Sequence, residues 1–199
     1  MKNKFYLLLL LLSFSILFSC KNTGNAEKFY LAAVNSYAKQ DLESASFYCE
    51  KALSQDRSFY QADFLQAKVF FMKKNYEESY SITKKLIKKY PQYTDARIWN
   101  IRSLILLDKL EDAEKLLITE LSFNNSDWRT YYLYSVLYAK QNKIDLQLAM
   151  LNRSELALTD SMKVYHELFT IWDVLEVKDK AASYKMKSAI LENNISKEE

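Results

Sequence analysis

The strongest constraint on the fold is a sequence period of about 34 residues that runs through the chain. Small residues recur with this step, and so do residues placed where a helix is expected to stop. The small residues are Ala45, Ser79, Ala113 and, two steps later, Ala181, with Gln147 interrupting the column. The expected stops are Arg57, Pro91, Asn125 and Thr159. Several columns in phase predict an array of similar units that stack on one another.

Each unit opens with a large residue, followed at fixed spacing by an adjacent pair and then another large residue. The five segments are Tyr30-x2-Ala33-Val34-x2-Tyr37, Phe64-x2-Ala67-Lys68-x2-Phe71, Ile98-x2-Ile101-Arg102-x2-Ile105, Tyr131-x2-Tyr134-Ser135-x2-Tyr138 and Tyr165-x2-Leu168-Phe169-x2-Trp172. With the period, they resemble the tetratricopeptide repeat (TPR) family over residues 26–194. The family's Gly is replaced in all five, and its closing proline survives only as Pro91. The resemblance implies an all-α fold, a right-handed TPR-like superhelical solenoid of about five helix pairs.

Local chemistry agrees with a helical array. The chain has one Gly and one Pro, too few for a β-sandwich or barrel or for a glycine-rich nucleotide loop. Asp41, Asn75 and Asp108 are predicted N-caps, the last two as capping boxes with the acid three residues on. Ten helices are predicted, at 27–39, 42–55, 59–73, 76–89, 94–107, 110–122, 127–141, 144–157, 161–175 and 178–194.

The segment 1–20 has the pattern of an export signal. Lys2 and Lys4 precede a short apolar run, Phe5 to Phe18, and Leu17-Phe18-Ser19-Cys20 resembles a bacterial lipobox. This predicts a lipoprotein signal peptide at 1–19, lipidated Cys20 with a short linker at 20–26, the repeat domain at 27–195 and a disordered tail at 196–199. The predicted location is the bacterial cell envelope, lipid-anchored, at the outer membrane on its periplasmic or surface face. An uncleaved signal anchor is the alternative.

Catalytic, metal and nucleic-acid functions have little support. Without its signal the chain has 26 basic and 25 acidic residues, so nucleic-acid binding lacks a charge excess. His166 is the one histidine, which leaves no partner for a histidine metal pair. Cys49 lies in a helical pattern and is predicted to be a buried structural thiol. We therefore expect no enzyme activity, no metal and no cofactor.

The resemblance implies that the first helix of each pair lines a concave groove. The first predicted row is Leu31, Leu65, Trp99, Tyr132 and His166; the second is Asn35, Val69, Ser103, Val136 and Thr170. Of these, the predicted partner-binding residues are Trp99, Tyr132, His166, Leu65, Val69 and Val136. The alternative is a shifted register that buries them as ordinary core.

These expectations favour a membrane-anchored adaptor or scaffold that binds a protein partner, as a peptide or helix, in its groove. An accessory role in outer-membrane protein or pilus assembly fits this interpretation. A regulator that recruits cell-wall hydrolases is the alternative, and a small-ligand binding protein or enzyme is a more distant one.

Overall fold

The computed structural model describes residues 23–195, with side chains described for 24–162 and 164–189. Every regular element in this part is an α-helix, which confirms the all-α prediction. The helices are α1 Thr23–Ala38, α2 Leu42–Gln55, α3 Tyr60–Met72, α4 Tyr76–Lys89, α5 Thr94–Leu106, α6 Leu110–Phe123, α7 Trp128–Lys140, α8 Ile144–Val174 and α9 Lys178–Ile195. Across residues 23–195, no helix combines the length and apolarity needed to cross a membrane.

The chain divides into two compact units between Ser103 and Leu104, inside α5. Unit 1 holds α1 to α4 and most of α5. It contains a core cluster of Ala33, Cys49 and Leu65, with partly buried tyrosines packed against it. Unit 2 holds the end of α5 and α6 to α9, in which α8 packs against both α7 and α9.

The turn that joins the two helices of a repeat has the same backbone each time. One residue of each turn adopts a left-handed conformation, with φ between 56° and 63°; these residues are Gln40, Lys74, Asp108, Asn142 and Glu176. The amide of the following residue donates to a carbonyl five residues back, as Asp41 does to Ser36 and Val177 to Trp172. This is the Schellman ending of a helix, made without glycine. Successive turn residues differ in number by the same step as the small-residue column, so the period is preserved through all five turns.

The constant period corrects the register of the last two repeats. Relative to the turns, Tyr132 is equivalent to Phe64 and Ile98, whereas the sequence pattern aligns Tyr131 with them. Leu133 is therefore the counterpart of Leu65, and both are buried. Aromatic residues at two adjacent positions of α7 allow the pattern to slip by one.

Of the three predicted N-caps, Asp41 is confirmed fully and Asn75 is confirmed in part. The Ser44 amide donates to Asp41 Oδ1 at 3.0 Å, and the Glu78 amide donates to Asn75 Oδ1 at 3.4 Å. The reciprocal half of the capping box is not formed at Asn75, because its own amide donates to the Phe70 carbonyl. The prediction for Asp108 is wrong: this residue occupies the left-handed turn position, and Lys109 is the N-cap.

The predicted stop at 158–160 is also wrong, because α8 continues through it. The earlier stops carry a local signal that this segment lacks. Asp56 and Asn124 accept a backbone amide two residues on, and Pro91 ends α4. Leu158 occupies the equivalent position and its side chain has no acceptor. Nearby hydroxyls donate to helical carbonyls four residues back, as Thr159 does to Glu155 at 3.0 Å, which is compatible with a helix interior.

Candidate functional site

A surface of aromatic rings and two cations lies on the first helices of unit 1. We call it the cationic aromatic face; it consists of Tyr37, Phe64, Lys68, Phe71, Trp99 and Arg102. Lys68 Nζ lies 4.7 Å from the ring centroid of Tyr37, 5.5 Å from that of Trp99 and 5.9 Å from that of Phe64. Arg102 Cζ lies 4.8 Å from the Trp99 centroid and 5.7 Å from that of Phe71. A cation this close to a ring face is attracted by the ring quadrupole.

Helix geometry and the repeat period together place these residues side by side. Lys68 follows Phe64 by four residues, and Arg102 follows Trp99 by three, so each cation shares a helix face with a ring. Lys68 and Arg102 occupy equivalent positions in successive repeats. Stacking of α3 and α5 therefore places the two cations in adjacent rows, on the same side of their helices.

The rings of the face support one another. Phe71 and Trp99 meet edge to face, with centroids 5.0 Å apart and planes at 85°. Phe71 also contacts Tyr76 at a centroid distance of 5.2 Å. Both the Phe71 and Trp99 side chains are half-buried, so each is packed against neighbours and still partly accessible to solvent.

The charges of Lys68 and Arg102 act on each other and on neighbouring titratable groups. Neither Lys68 nor Arg102 forms an ion pair in this part of the chain. Burial lowers the pKa of Lys68, and the charge of Arg102 lowers it further, while Asp95 raises it. Burial raises the pKa of Tyr37, and Arg102 opposes that rise. With no ion pair formed by either cation among the described residues, the face offers two positive charges to a negatively charged group.

The residues predicted from the sequence fall in different places. Trp99 lies in the cationic aromatic face, but Leu65 and Val69 are buried in the core and do not line a surface. In unit 2, Tyr132 and His166 are exposed and Val136 is half-buried. Ser103, from the second predicted row, is buried as well. The structure therefore brings together Trp99 with residues that the prediction omitted.

Lys68 and Arg102 are the residues that the sequence pattern alone does not assign to a site. A signal for them exists: they occupy, one repeat period apart, the position where the TPR pattern has a small Gly. Long side chains do not fit between helices at a position of close contact. Lysine and arginine there are therefore expected to extend away from the helix contact and over neighbouring rings. The packing shows this arrangement.

Other chemistry in the described residues is sparse. No group of three or more His, Cys, Asp or Glu side chains in this part is arranged to hold a metal ion. Cys49 is buried, as predicted, and burial raises the pKa of its thiol to about 12. A cleft of about 460 Å³ in unit 2 lies between the start of α7 and the middle of α8, with Tyr131, Arg153 and Tyr165 in its walls.

Comparison with known proteins supports the tetratricopeptide type of repeat. The sequence family described as "Anaphase-promoting complex, cyclosome, subunit 3" matches residues 38–120, less than half of the chain. No curated protein sequence matches significantly.

Three solved structures share the fold. MamA (residue 41 to the end) from Desulfovibrio magneticus RS-1 is 15% identical with a TM-score of 0.60, covering 85% of this chain and 96% of that one. TTC0263, described as a thermophilic TPR protein of Thermus thermophilus, is 18% identical with a TM-score of 0.62, covering 82% and 89%. YrrB, described as a TPR protein with an unusual peptide-binding site, is 18% identical with a TM-score of 0.57, covering 85% and 88%. At these identities the likeness establishes the fold.

Proposed function

We propose that this protein is a non-catalytic scaffold, anchored by lipid at Cys20 in the bacterial cell envelope, that binds a protein partner on its cationic aromatic face. The observation that carries the proposal is the pair Lys68 and Arg102, held over aromatic rings with no ion pair among the described residues. Fold alone does not define a function, whereas this surface has a specific binding chemistry.

The surface specifies the chemistry of the partner. A carboxylate placed between Lys68 and Arg102 would form charge-assisted hydrogen bonds with both, in a setting drier than bulk water. Neighbouring rings would contact an apolar side chain beside that carboxylate. Aromatic residues provide a large contact area with few rotatable bonds, and such residues dominate many interfaces. The proposed ligand is thus a protein segment with an acidic residue next to an apolar one.

The comparison with YrrB supports a peptide-sized ligand, since that TPR protein is described as having a peptide-binding site. A segment of this kind binds either as a helix laid in a groove or as an extended strand. Both forms can present an acidic and an apolar side chain close together on one side.

The lipid anchor rests on the sequence, because Cys20 lies outside the described residues. The first described helix begins at Thr23, directly after this segment. Several acyl chains on Cys20 would hold the protein stably at a membrane, whereas a single chain is marginal. Mass spectrometry of the purified protein tests this: we expect a mature N-terminus at Cys20 carrying lipid mass. Retention of Met1, or lipid incorporation unaffected by Cys20→Ser, would contradict it.

The binding proposal is tested by charge reversal. The double variant Lys68→Glu/Arg102→Glu and the wild type are used to capture partners from detergent-solubilised membranes. Lys88→Glu is the matched control, since Lys88 is an exposed lysine on α4, outside the face. We expect a defined partner to bind to the wild type and the control and to be lost from the double variant, with circular dichroism unchanged. Equal capture by all three proteins would overturn the proposed surface.

A further inference from the structure

Successive repeats in this chain pack through a recurring junction. The second helix of one repeat contacts the first helix of the next, as α2 does with α3 and α6 with α7. Between α4 and α5, Ser103 Oγ donates to Ser79 Oγ at 3.1 Å, and Asn100 Nδ2 donates to Thr83 Oγ1 at 2.8 Å. These three junctions bury the same positions each time.

The fourth junction is missing, although the sequence supplies both of its faces. The two helices that would form it are fused in α8, as residues 144–157 and 161–174. Three positions that are 0% exposed at the earlier junctions are open here. Val164 is 53% exposed, whereas its equivalents Ala62, Ala96 and Thr130 are buried. Ile171 is 50% exposed, whereas its equivalents Val69, Ser103 and Leu137 are buried. Leu151 is 38% exposed, whereas its equivalents Cys49, Thr83 and Leu117 are buried.

Both open faces are apolar at the matching positions. The pair equivalent to Thr83 and Asn100 is Leu151 and Leu168, and Leu148, 59% exposed, is equivalent to Ser46. Ser46 accepts a hydrogen bond from Gln66 in the first junction. Leucines at these positions replace hydrogen bonds with apolar contact, which is favourable only if the surfaces are brought together.

The two faces cannot meet within one chain while α8 is continuous. Gln147 and Ile171, the equivalents of Ser79 and Ser103, lie on opposite sides of residues 158–160, where the other repeats have a break, in one unbroken helix. At 1.5 Å per residue their separation along the helix axis is about 36 Å. Closure requires either a break near 158–160 or a second molecule.

We propose that two copies of this chain exchange their C-terminal helix pairs. In the dimer, residues 161–195 of each copy pack against residues 144–157 of the other, and residues 158–160 are the helical connection. The occupant is a second copy because each open face has its complement on the same chain, in the arrangement already used by the three intact junctions. Reciprocal exchange covers both faces of both copies and closes the assembly with two-fold symmetry. An unrelated partner would cover only the face that it fits.

Disulfide formation tests the exchange directly. In the full-length chain carrying Cys20→Ser, the variant Gln147→Cys/Ile171→Cys places thiols where Ser79 and Ser103 hydroxyls lie 3.1 Å apart in the intact junction. Cys49 remains, since it is buried. After mild oxidation in detergent, we expect a covalent dimer on non-reducing gels. Peptide mapping should link the cysteine introduced at position 147 of one chain to the cysteine introduced at position 171 of the other. A disulfide within one chain, or free thiols in both positions, would overturn the proposal.

A proline at the connection provides the second test. Thr159→Pro restores the residue type found at the equivalent position 91, and proline in a helix interior breaks or kinks it. Sedimentation equilibrium is expected to show a dimer for the wild type and for the control Thr159→Ala, and a monomer for Thr159→Pro. Combined with the two introduced cysteines, Thr159→Pro should convert the disulfide from between chains to within one. A monomeric wild type, or a dimer that persists with Thr159→Pro, would overturn the exchange.

Discussion

The buried amide of Asn100 donates to the hydroxyl of Thr83 at 2.8 Å and so joins α5 to α4. The same nitrogen donates to the backbone oxygen of Tyr80 at 3.0 Å, and Thr83 in turn donates to the Ser79 carbonyl at 2.7 Å. One side chain, Asn100, thus donates hydrogen bonds to both the Tyr80 carbonyl and the Thr83 hydroxyl inside the junction. Packing of α5 against α4 therefore depends on a polar network as well as on apolar contact.

Removing the Asn100 amide should destabilise unit 1. Asn100→Ala removes both hydrogen bonds that this amide donates, at about 0.5–1.5 kcal/mol each, or about 1–3 kcal/mol together. We expect the free energy of unfolding, measured by urea denaturation, to fall by about that amount. The control Asn35→Ala changes an exposed asparagine on α1 and should stay within about 0.5 kcal/mol of the wild type. Equal effects of the two variants would contradict the role of this network.

The helix boundaries follow from the sequence because the period and the end signals agree. Most predicted helices start and stop within one or two residues of the observed ones; α1 begins four residues earlier than predicted, at Thr23. The exception at 158–160 shows what the period alone cannot predict. A column of equivalent positions places a stop at Thr159, but a helix ends only where local chemistry competes with it, and Leu158 offers none.

The left-handed turn residues predict a stabilising substitution. Lys74 has φ of 63° and an exposed side chain. A residue with a Cβ in this conformation is disfavoured by about 1–2 kcal/mol, and glycine is not. Lys74→Gly should therefore raise the free energy of unfolding by about 1 kcal/mol, after part of the gain is offset by the greater freedom of glycine in the unfolded chain.

The matched control for Lys74→Gly is Asn142→Gly, at the equivalent turn with φ of 56°. Asparagine tolerates the left-handed conformation better than lysine does, so its replacement should give a smaller gain. Thermal melts of the two variants provide the measurement. A larger gain at position 142 than at position 74 would contradict the explanation.

Alkaline pH should destabilise unit 1 through Cys49. Burial raises the pKa of its thiol from 9.0 to about 12, so the folded state holds this proton where the unfolded state releases it. The contribution is complete below pH 9 and is lost as pH rises toward 12, at up to about 1.4 kcal/mol per pH unit. Urea titrations between about pH 8.5 and 10 should show a steeper fall for the wild type than for Cys49→Ala. Parallel pH profiles would contradict it.

The candidate site could be predicted only in part. Trp99 is predicted from the sequence, because the resemblance to the TPR family implies that first helices line a binding surface. Leu65 and Val69 are assigned to the same surface, yet they lie in the core. Neighbouring positions on a helix differ in direction by about 100°, so small errors of register move a side chain from surface to core. For Lys68 and Arg102, the sequence shows only that they replace the glycine of the TPR pattern. It does not show which aromatic rings lie beneath their side chains.

Truncating Trp99 should weaken binding more than it weakens the fold. The ring contacts Phe71, Lys68 and Arg102 while half-buried. Trp99→Ala should cost less than the roughly 3–5 kcal/mol of a fully buried tryptophan. Binding of the captured partner should weaken by about 2 kcal/mol.

The matched control for Trp99→Ala is Phe47→Ala, which removes an exposed ring of α2 outside the face and should leave affinity unchanged. A thermal melt and a binding titration on each variant provide the measurements. Unchanged affinity for Trp99→Ala would remove Trp99 from the site.

The most direct test of the central claim is site-specific photo-crosslinking from the cationic aromatic face. p-Benzoylphenylalanine replaces Tyr37, whose ring lies 4.7 Å from Lys68 Nζ, or Phe47, an exposed ring outside the face. Both variants are irradiated in solubilised membranes and analysed by mass spectrometry. We predict that the Tyr37 position yields a crosslinked protein of defined mass, that Lys68→Glu/Arg102→Glu abolishes this product, and that the Phe47 position does not form it. The same product from Phe47, or its persistence after charge reversal, would contradict the account.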